Sequence, residues 1–268
     1  MEPFTLLNDS IMQLSSSITK DATLIAGMTT RFGGRSVAPF SSLNMGFHVP
    51  DDPSMVLDNR QIVADMISLP LSNWVMGEQV HETNIHVVTK NDQNLGKGTL
   101  SHQDALKGID GLITNQANVL LTAMFADCVP LYYWDPTTNW IGIAHAGWRG
   151  TVNQMAAHMV SKLTDLGADV TSLRVAIGPS ISAQNYQVDE KVYQLIPKKW
   201  RDQVTEQIDS THYFFDLKKL HKIILVDIGV NPEHIFVTNY CTYQDDYFFS
   251  HRKENGKTGR MLGFIGSK

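Results

Sequence analysis

The sequence predicts an α+β protein with mixed β-sheets flanked by helices, read as a single domain over residues 1–268. Three observations carry this. Short apolar runs separated by turn residues fill the centre of the chain, and strands and helices mix without strict alternation. Neither a G-x-G-x-x-G stretch nor a Walker A loop is present, which argues against a doubly wound dinucleotide fold.

Residues 23–30 read as a strand entering the turn Arg31-Phe-Gly-Gly-Arg, where paired glycines mark positive φ or close approach. Residues 53–66 place Met55, Val56, Ile62, Val63 and Met66 at helical spacing. Strands are expected at 73–81 and 85–89. Residues 111–114, 119–126, 130–135 and 140–148 are apolar runs suited to buried strands, and Asp135-Pro-Thr-Thr-Asn reads as a hairpin turn. Tyr133, Trp134 and Trp140 then fall in the core or the hairpin. Past Gly150 the period changes: Val152, Met155, Ala156, Met159, Val160 and Leu163 share one helical face, and Gly167 is a stop. A strand at 173–179, helices at 189–195 and 217–228, and a strand at 235–238 complete the chain. Cys241 lies at or just past the last of these and reads as structural.

Composition bounds the function. A chain of 268 residues, 43% hydrophobic and 18% charged, has the make-up of a soluble globular protein. Its net charge of −5 argues against a general nucleic-acid binder, whose phosphate contacts need a basic surface. No apolar run reaches the roughly 18 residues that a membrane span needs. The N-terminus lacks the basic-then-apolar order of a secretory signal, and there are only two cysteines. A cytoplasmic, reducing setting is expected.

Three residues carry the sharpest chemistry: His81 in Glu78-Gln-Val-His, Cys128 in Ala126-Asp-Cys-Val-Pro, and His145 in His-Ala-Gly-Trp-Arg-Gly. Two imidazoles and a thiolate suit Zn²⁺, and three protein ligands leave a fourth position for water or substrate. All three sit at predicted strand ends, where scaffolds present reactive groups. Their separations are long, unlike a structural zinc knuckle. The bland reading is a set of hydrogen-bonded histidines and an inert buried thiol. Ala146 and Gly147 after His145 let another group approach its ring.

Gly147-Trp-Arg-Gly-Thr reads as a strand-to-helix junction, where free amides and the Arg149 fork suit a phosphate; the alternative pairs Arg149 with a carboxylate and leaves Thr151 to cap the helix. Asp127 reads as a general acid/base or as the partner of a ligand histidine, and equally as an acceptor for loop amides. Arg31 and Asn44, on the Gly-rich N-terminal stretch, are placed to grip a sugar or base, or to build the turn.

The stretches Thr29-Thr-Arg-Phe-Gly-Gly, Ser42-Leu-Asn-Met-Gly, Gln79-Val-His, Asp110-Gly-Leu-Ile-Thr, Ala126-Asp-Cys-Val-Pro, His145-Ala-Gly-Trp-Arg-Gly, Ile177-Gly-Pro and Phe248-Phe-Ser-His-Arg…Thr258-Gly-Arg resemble the YfiH/YlmD family. That family was first called laccase-domain or multicopper polyphenol oxidase. The likeness runs from about residue 24 to the end of the chain. It implies an α+β fold, metal ligands at His81, Cys128 and His145, and zinc as cofactor. It also implies phosphorolysis of adenosine, inosine, guanosine and methylthioadenosine, with deamination of adenosine; the partners are purine nucleosides and phosphate. Some bacterial relatives are named peptidoglycan editing factors. The chain departs from the family pattern at Glu82, where glycine is frequent, at Ser180 and Asn185, where many relatives carry cysteine, and at Phe125, where threonine is common.

Copper is the secondary metal expectation, since donor softness admits it. A multicopper oxidase needs a trinuclear cluster and a blue-copper site ligated largely by His-x-His pairs, and this chain has none. A cysteine hydrolase with Cys128 as nucleophile and a non-catalytic cell-wall accessory protein are the remaining alternatives.

Overall fold

The computed structural model describes residues 1–89 and 93–268. One six-stranded sheet contains β1 (Phe4–Asn8), β2 (Ile11–Leu14), β3 (Leu24–Thr29), β4 (Trp74–Met76), β7 (Val119–Phe125) and β15 (Met261–Ser267), in the order β1-β2-β3-β15-β7-β4. A second contains β5 (Ile85–Val88), β6 (Gly111–Thr114), β8 (Val129–Trp134), β9 (Ile141–Ala146), β10 (Arg174–Ile177) and β14 (Ile235–Val237), in the order β14-β10-β8-β9-β6-β5. A small sheet joins β11 (Gln187–Asp189), β12 (Thr205–Gln207) and β13 (His212–Phe215). Both large sheets are mixed: β4–β7, β5–β6 and β10–β14 pair parallel, and their other ladders are antiparallel.

The period-two alternation of the strands sorts the layers. Leu121, Ala123 and Phe125 of β7 meet Tyr132 and Trp134 of β8 and Ile141 and Ile143 of β9 between the sheets. Leu120 and Met124 point the other way, onto Val63, Ala64 and Ile67 of α2 (Pro53–Ile67). On the second sheet, Leu131, Tyr133, Ala144 and Ala146 pack against α4 (Met155–Asp165) and α7 (Leu217–Asp227). The result is helix, sheet, sheet, helix. Strands covered on both faces read as unbroken apolar runs, which is why β7 and β8 show no alternation in sequence. Four shorter helices, α1 (Ser16–Thr19), α3 (Trp148–Val152), α5 (Glu190–Leu195) and α6 (Lys198–Val204), complete the described α-helices. No described helix is long and apolar enough to cross a membrane.

Three expectations shift. The strand at 73–81 stops at Met76 and becomes a loop in which Gln79 and His81 take φ of 63° and 64°. The helix after Gly150 is two helices, broken where Gln154 enters the left-handed region. There, Thr151 Oγ1 donates to the Gly147 carbonyl and meets His221 Nε2 of α7, so a side chain competes with helix continuation. The hairpin β1–β2, the small sheet β11–β13, the helices α1 and α6 and the strand β15 are additions. Glycines disguised β15: a Cβ at Gly263 would stand 2.6 Å from Phe125 Cε2, and one at Gly266 would stand 2.7 Å from the Val119 carbonyl oxygen. These glycines let β15 lie deep within its sheet.

Candidate metal centre

β9 lies between β6 and β8, and the two registers decide which residues meet. His145 faces Pro130 across the β8–β9 ladder, so Cys128, two residues before Pro130, arrives beside it. On the other side Ala144 faces Gly111, and the His145 amide donates to the Asp110 carbonyl at 2.8 Å. His145 shares the parity of Ile141 and Ile143, so its ring enters the space between the sheets, 5.7 Å from the Phe125 ring.

His81 comes from the loop after β4, and Asp110 holds that loop. Its Oδ2 accepts the amides of Val80 and Glu82 at 3.1 and 3.0 Å, and its Oδ1 accepts that of His81 at 3.1 Å. Gln79 adds a two-way clamp, its Nε2 donating to the Met124 carbonyl at 2.8 Å and its Oε1 accepting the Met124 amide at 2.7 Å. These bonds offset the cost of two non-glycine residues with positive φ. Asp110 Oδ1 also lies 2.9 Å from His145 Nδ1. One buried carboxylate therefore positions both imidazoles, and with Nδ1 given to Asp110, Nε2 is the His145 atom left for a metal.

The ligating atoms of His81, Cys128 and His145 fall within 4.8 Å of one another. Cys128 Sγ lies 3.9 Å from His81 Nε2, and the two imidazoles meet edge-to-face at 4.8 Å. A Cβ at Gly147 would stand 2.7 Å from His81 Cδ2 and 3.1 Å from Cys128 Sγ, so glycine is required for this closure. Burial pushes the Cys128 thiol up, but His145 and then His81 outweigh it, and its pKa is lowered to about 6. Burial pushes His145 down, but Cys128 and Asp110 outweigh it, and its pKa is raised to about 9. Burial likewise opposes ionisation of Asp110, yet the bonds from His145 and the loop amides hold its carboxyl below the usual range. Two imidazoles and an easily ionised thiol converging on one point fit Zn²⁺, which takes N and S donors; copper shares that preference.

The trio lies in the lining of a cavity of about 590 Å³. Phe47, Trp148 and Tyr186 give it aromatic surface, and Arg60, Arg149, Arg252 and Arg260 give it charge. Asp127 lines it too, with Oδ1 accepting from Thr242 Oγ1 at 2.6 Å and Oδ2 from the Arg252 amide at 2.8 Å. That is the loop-organising alternative for Asp127. Arg149 is exposed, its guanidinium 4.8 Å from the ring of Trp148, on a helix of only five residues. Glu82 is exposed and its side chain does not enter the lining.

Arg31 and Asn44 do not line the cavity. Arg31 pairs with Glu254 at 3.0 Å, and Glu254 also accepts the Ser250 amide, which braces the segment carrying His251 and Arg252. Asn44 is buried and bonds Gly46, Asp51 and the Arg260 amide. Each stands one step behind the cavity wall. Cys241 is buried, its sulfur accepting from the Ser182 amide at 3.2 Å and from Asn185 Nδ2 at 3.6 Å, in a structural position. Sequence reasoning missed Asp110, His48, Tyr186, Arg252 and Arg260. The stretches beginning at Asp110 and Phe248 contain Asp110, Arg252 and Arg260, but no spacing rule assigns them a partner.

Residues 25–268 match the family described as multi-copper polyphenol oxidoreductase laccase. The chain is 41% identical over 274 residues to purine nucleoside phosphorylase YlmD of Bacillus subtilis (strain 168), covering 99% of this chain and 98% of that one. The chain belongs to the YfiH/YlmD family. It is also 43% identical over 254 residues to purine nucleoside phosphorylase YlmD of Geobacillus stearothermophilus, covering 91% and 90% of the two chains. Among solved structures, a hypothetical protein YfiH from Bacillus licheniformis superposes with a TM-score of 0.94 at 39% identity, and YlmD from Geobacillus stearothermophilus with 0.92 at 38%. Both matches cover 100% of each chain. The family description names a multi-copper chemistry that needs several ligand clusters. Among the described residues a single group of three donors converges.

Proposed function

We propose that this chain is a zinc-dependent purine nucleoside phosphorylase that also cleaves methylthioadenosine with phosphate and deaminates adenosine. The observation that carries the reading is the convergence of His81, Cys128 and His145 in the lining of a nucleoside-sized cavity. The names of relatives at 41% and 43% identity supply the reaction class. His81, Cys128 and His145 would hold the zinc, which when bound supplies Lewis acidity at the reacting end of the cavity.

The chain's own groups do the rest. Phe47, Trp148 and Tyr186 offer faces for a purine. The Tyr186 hydroxyl stays protonated, because burial and then the Cys128 charge push its pKa up, and it serves as a neutral donor. In phosphorolysis a phosphate oxygen bonds to C1′ while the C1′–N9 bond breaks, its electron pair leaving with the purine. Arg149, exposed at the rim, steers the anion inward. Asp127, occupied by Thr242 and the Arg252 amide, positions the 250–260 segment and is not assigned the proton donor's role. Residues 1–268 are read as one domain, since the inter-sheet core draws on both the first and the last strand. A reducing compartment, the cytoplasm, keeps Cys128 available as a ligand.

The test is product analysis after zinc-loaded protein is incubated with adenosine, with and without phosphate. Adenine and ribose 1-phosphate are expected only with phosphate, and inosine with ammonia in its absence. No turnover under either condition would leave the accessory-protein reading standing. A second reading has one observation in its favour: Cys128, His145 and Asp110 form a Cys-His-Asp relay with a lowered thiol pKa. A cysteine hydrolase would keep its activity under chelation, whereas the zinc enzyme loses it and regains it with Zn²⁺. Metal analysis and an oxygen electrode separate the copper oxidase.

A further inference from the structure

Four arginines line the cavity against two carboxylates, Glu78 and Asp127. Glu78 is committed to Lys107 at 3.2 Å and the Gly108 amide at 2.9 Å, and Asp127 to Thr242 and the Arg252 amide. Among the described residues no carboxylate oxygen lies within 4.0 Å of any of the four guanidiniums. Arg149 and Arg252 are exposed, and Arg252 Nη1 also donates to the Gln187 carbonyl at 3.0 Å. Arg60 is buried but saturated, donating to the carbonyls of Met45, Gly98 and Thr99.

Arg260 is different. It is half-buried, and its Nη1 donates to the carbonyls of Thr258 and Gly259 at 3.0 and 2.9 Å. Its Nε and Nη2, the edge of the guanidinium that grips an oxyanion in parallel, have no acceptor among the described residues. A Cβ at Gly46 would stand 2.8 Å from Arg260 Cγ and 3.1 Å from His48 Cε1, so this glycine lets the arginine stem and the imidazole lie side by side. The His48 side chain has no hydrogen-bond partner among the described residues. Burial and then Arg260 hold the ring neutral, its pKa lowered to about 3, so it offers an N–H without adding charge. Asn44 fixes the pair, its Oδ1 accepting the amides of Arg260 and Gly46 at 2.9 and 3.0 Å. Asp127 and Cys128 act on Arg260 only at longer range, and a half-buried cation with no carboxylate within 4.0 Å is an incomplete ion pair.

We propose that Arg260, with His48 beside it, is the anion-binding wall of this cavity and takes inorganic phosphate, the co-substrate of phosphorolysis. The assignment rests on the phosphorylase reading. It moves the phosphate from Arg149 at the rim to a residue inside, where a fork with two free donors meets a tetrahedral oxyanion. The 5′-phosphate of a nucleotide shares that chemistry, and the experiment separates the two.

Initial rates are measured on the zinc-loaded protein at varied phosphate and varied adenosine, alongside calorimetric titration with inorganic phosphate. R260Q is expected to raise the KM for phosphate by about tenfold or more and that for adenosine by less than about threefold. R260K keeps the charge without the fork and falls between; H48N moves the phosphate KM in the same direction by less. R149Q is expected to shift it by less than about threefold. An R260Q protein that melts like the parent and keeps its phosphate KM overturns the proposal, as does an equal rise in both KM values. If R260Q does not fold, R260K and H48N decide by the same criterion. If the parent splits no nucleoside, the phosphorylase reading fails by itself. Calorimetry then still judges the anion wall: phosphate binding lost in R260Q supports it, and no phosphate binding in the parent overturns it. AMP that competes with phosphate and binds more tightly than phosphate would reassign the wall to nucleotides.

Discussion

The candidate metal trio and the proposed arginine wall share one cavity but are held in place by different means. His145 sits inside β9, and Cys128 is within one residue of β8, so ladder registers place both. Only His81 rides on a loop, and Asp110 binds three consecutive amides of that loop. On the other wall, Arg260 and His48 come from segments some 200 residues apart, joined by Asn44 and packed against Gly46. The difference teaches that a metal centre tolerates little play and is built on sheet. An anion wall works through longer, charge-based reach and is assembled from loops.

The largest expected effect sharpens the electrostatic side of this contrast. In metal-stripped protein, alkylation of Cys128 should titrate with a midpoint near 6, against an ordinary thiol near 9. Below that midpoint this is about a thousandfold more thiolate. The depressed thiol contributes stability that is present above pH 9 and lost as pH falls through about 6. The raised His145 contributes stability that is present below 6.5 and lost as pH rises through about 9. Between pH 6.5 and 9 the thiol gains what the imidazole loses, so the pair should leave the urea resistance of the metal-stripped protein nearly independent of pH there. Peptide-resolved alkylation rates check the first statement, and an ordinary midpoint would mean that the imidazoles do not enclose the sulfur.

Next is Asp110→Asn, which weakens the one group holding both imidazoles. Zinc affinity should fall by about 10–100-fold, and stability by about 2–3 kcal/mol, read by metal competition and denaturant titration. Unchanged affinity would show that the strands alone position the ligands. Gly147→Ala should lower zinc affinity by about tenfold, because the added methyl must push His81 or Cys128 aside. Its melting temperature in the metal-stripped state should move little. The smallest effect probes the other wall. Asn44→Ala should raise the phosphate KM several-fold and cost about 1–2 kcal/mol, leaving zinc affinity unchanged. A loss of zinc affinity there would mean that the two walls are one unit.

Much of the sheet framework was legible, because β3, β5–β10 and β14 are built from apolar runs bounded by turn residues. The Gly263 and Gly266 strand was not, since its glycines serve packing against Phe125 and Val119 and resemble turn signals. The three metal-ligand candidates were legible as residue types at strand ends. Asp110 was not, for an aspartate before a strand reads as a turn residue until the β6–β9 register sets it against His145. Arg31 and Asn44 read as residues placed to grip a sugar or base, or to build the turn; their bonds to Glu254 and Arg260 leave them one step behind the cavity lining.

By itself, then, the order of residues determined where the apolar central strands lie and which side chains own ligand chemistry, because both depend on local apolarity and donor type. Tertiary structure alone decided which of those groups converge, which carboxylate is shared and which arginine keeps two donors free. Those outcomes depend on cross-strand register and on the competition for hydrogen-bond partners between segments far apart in the chain.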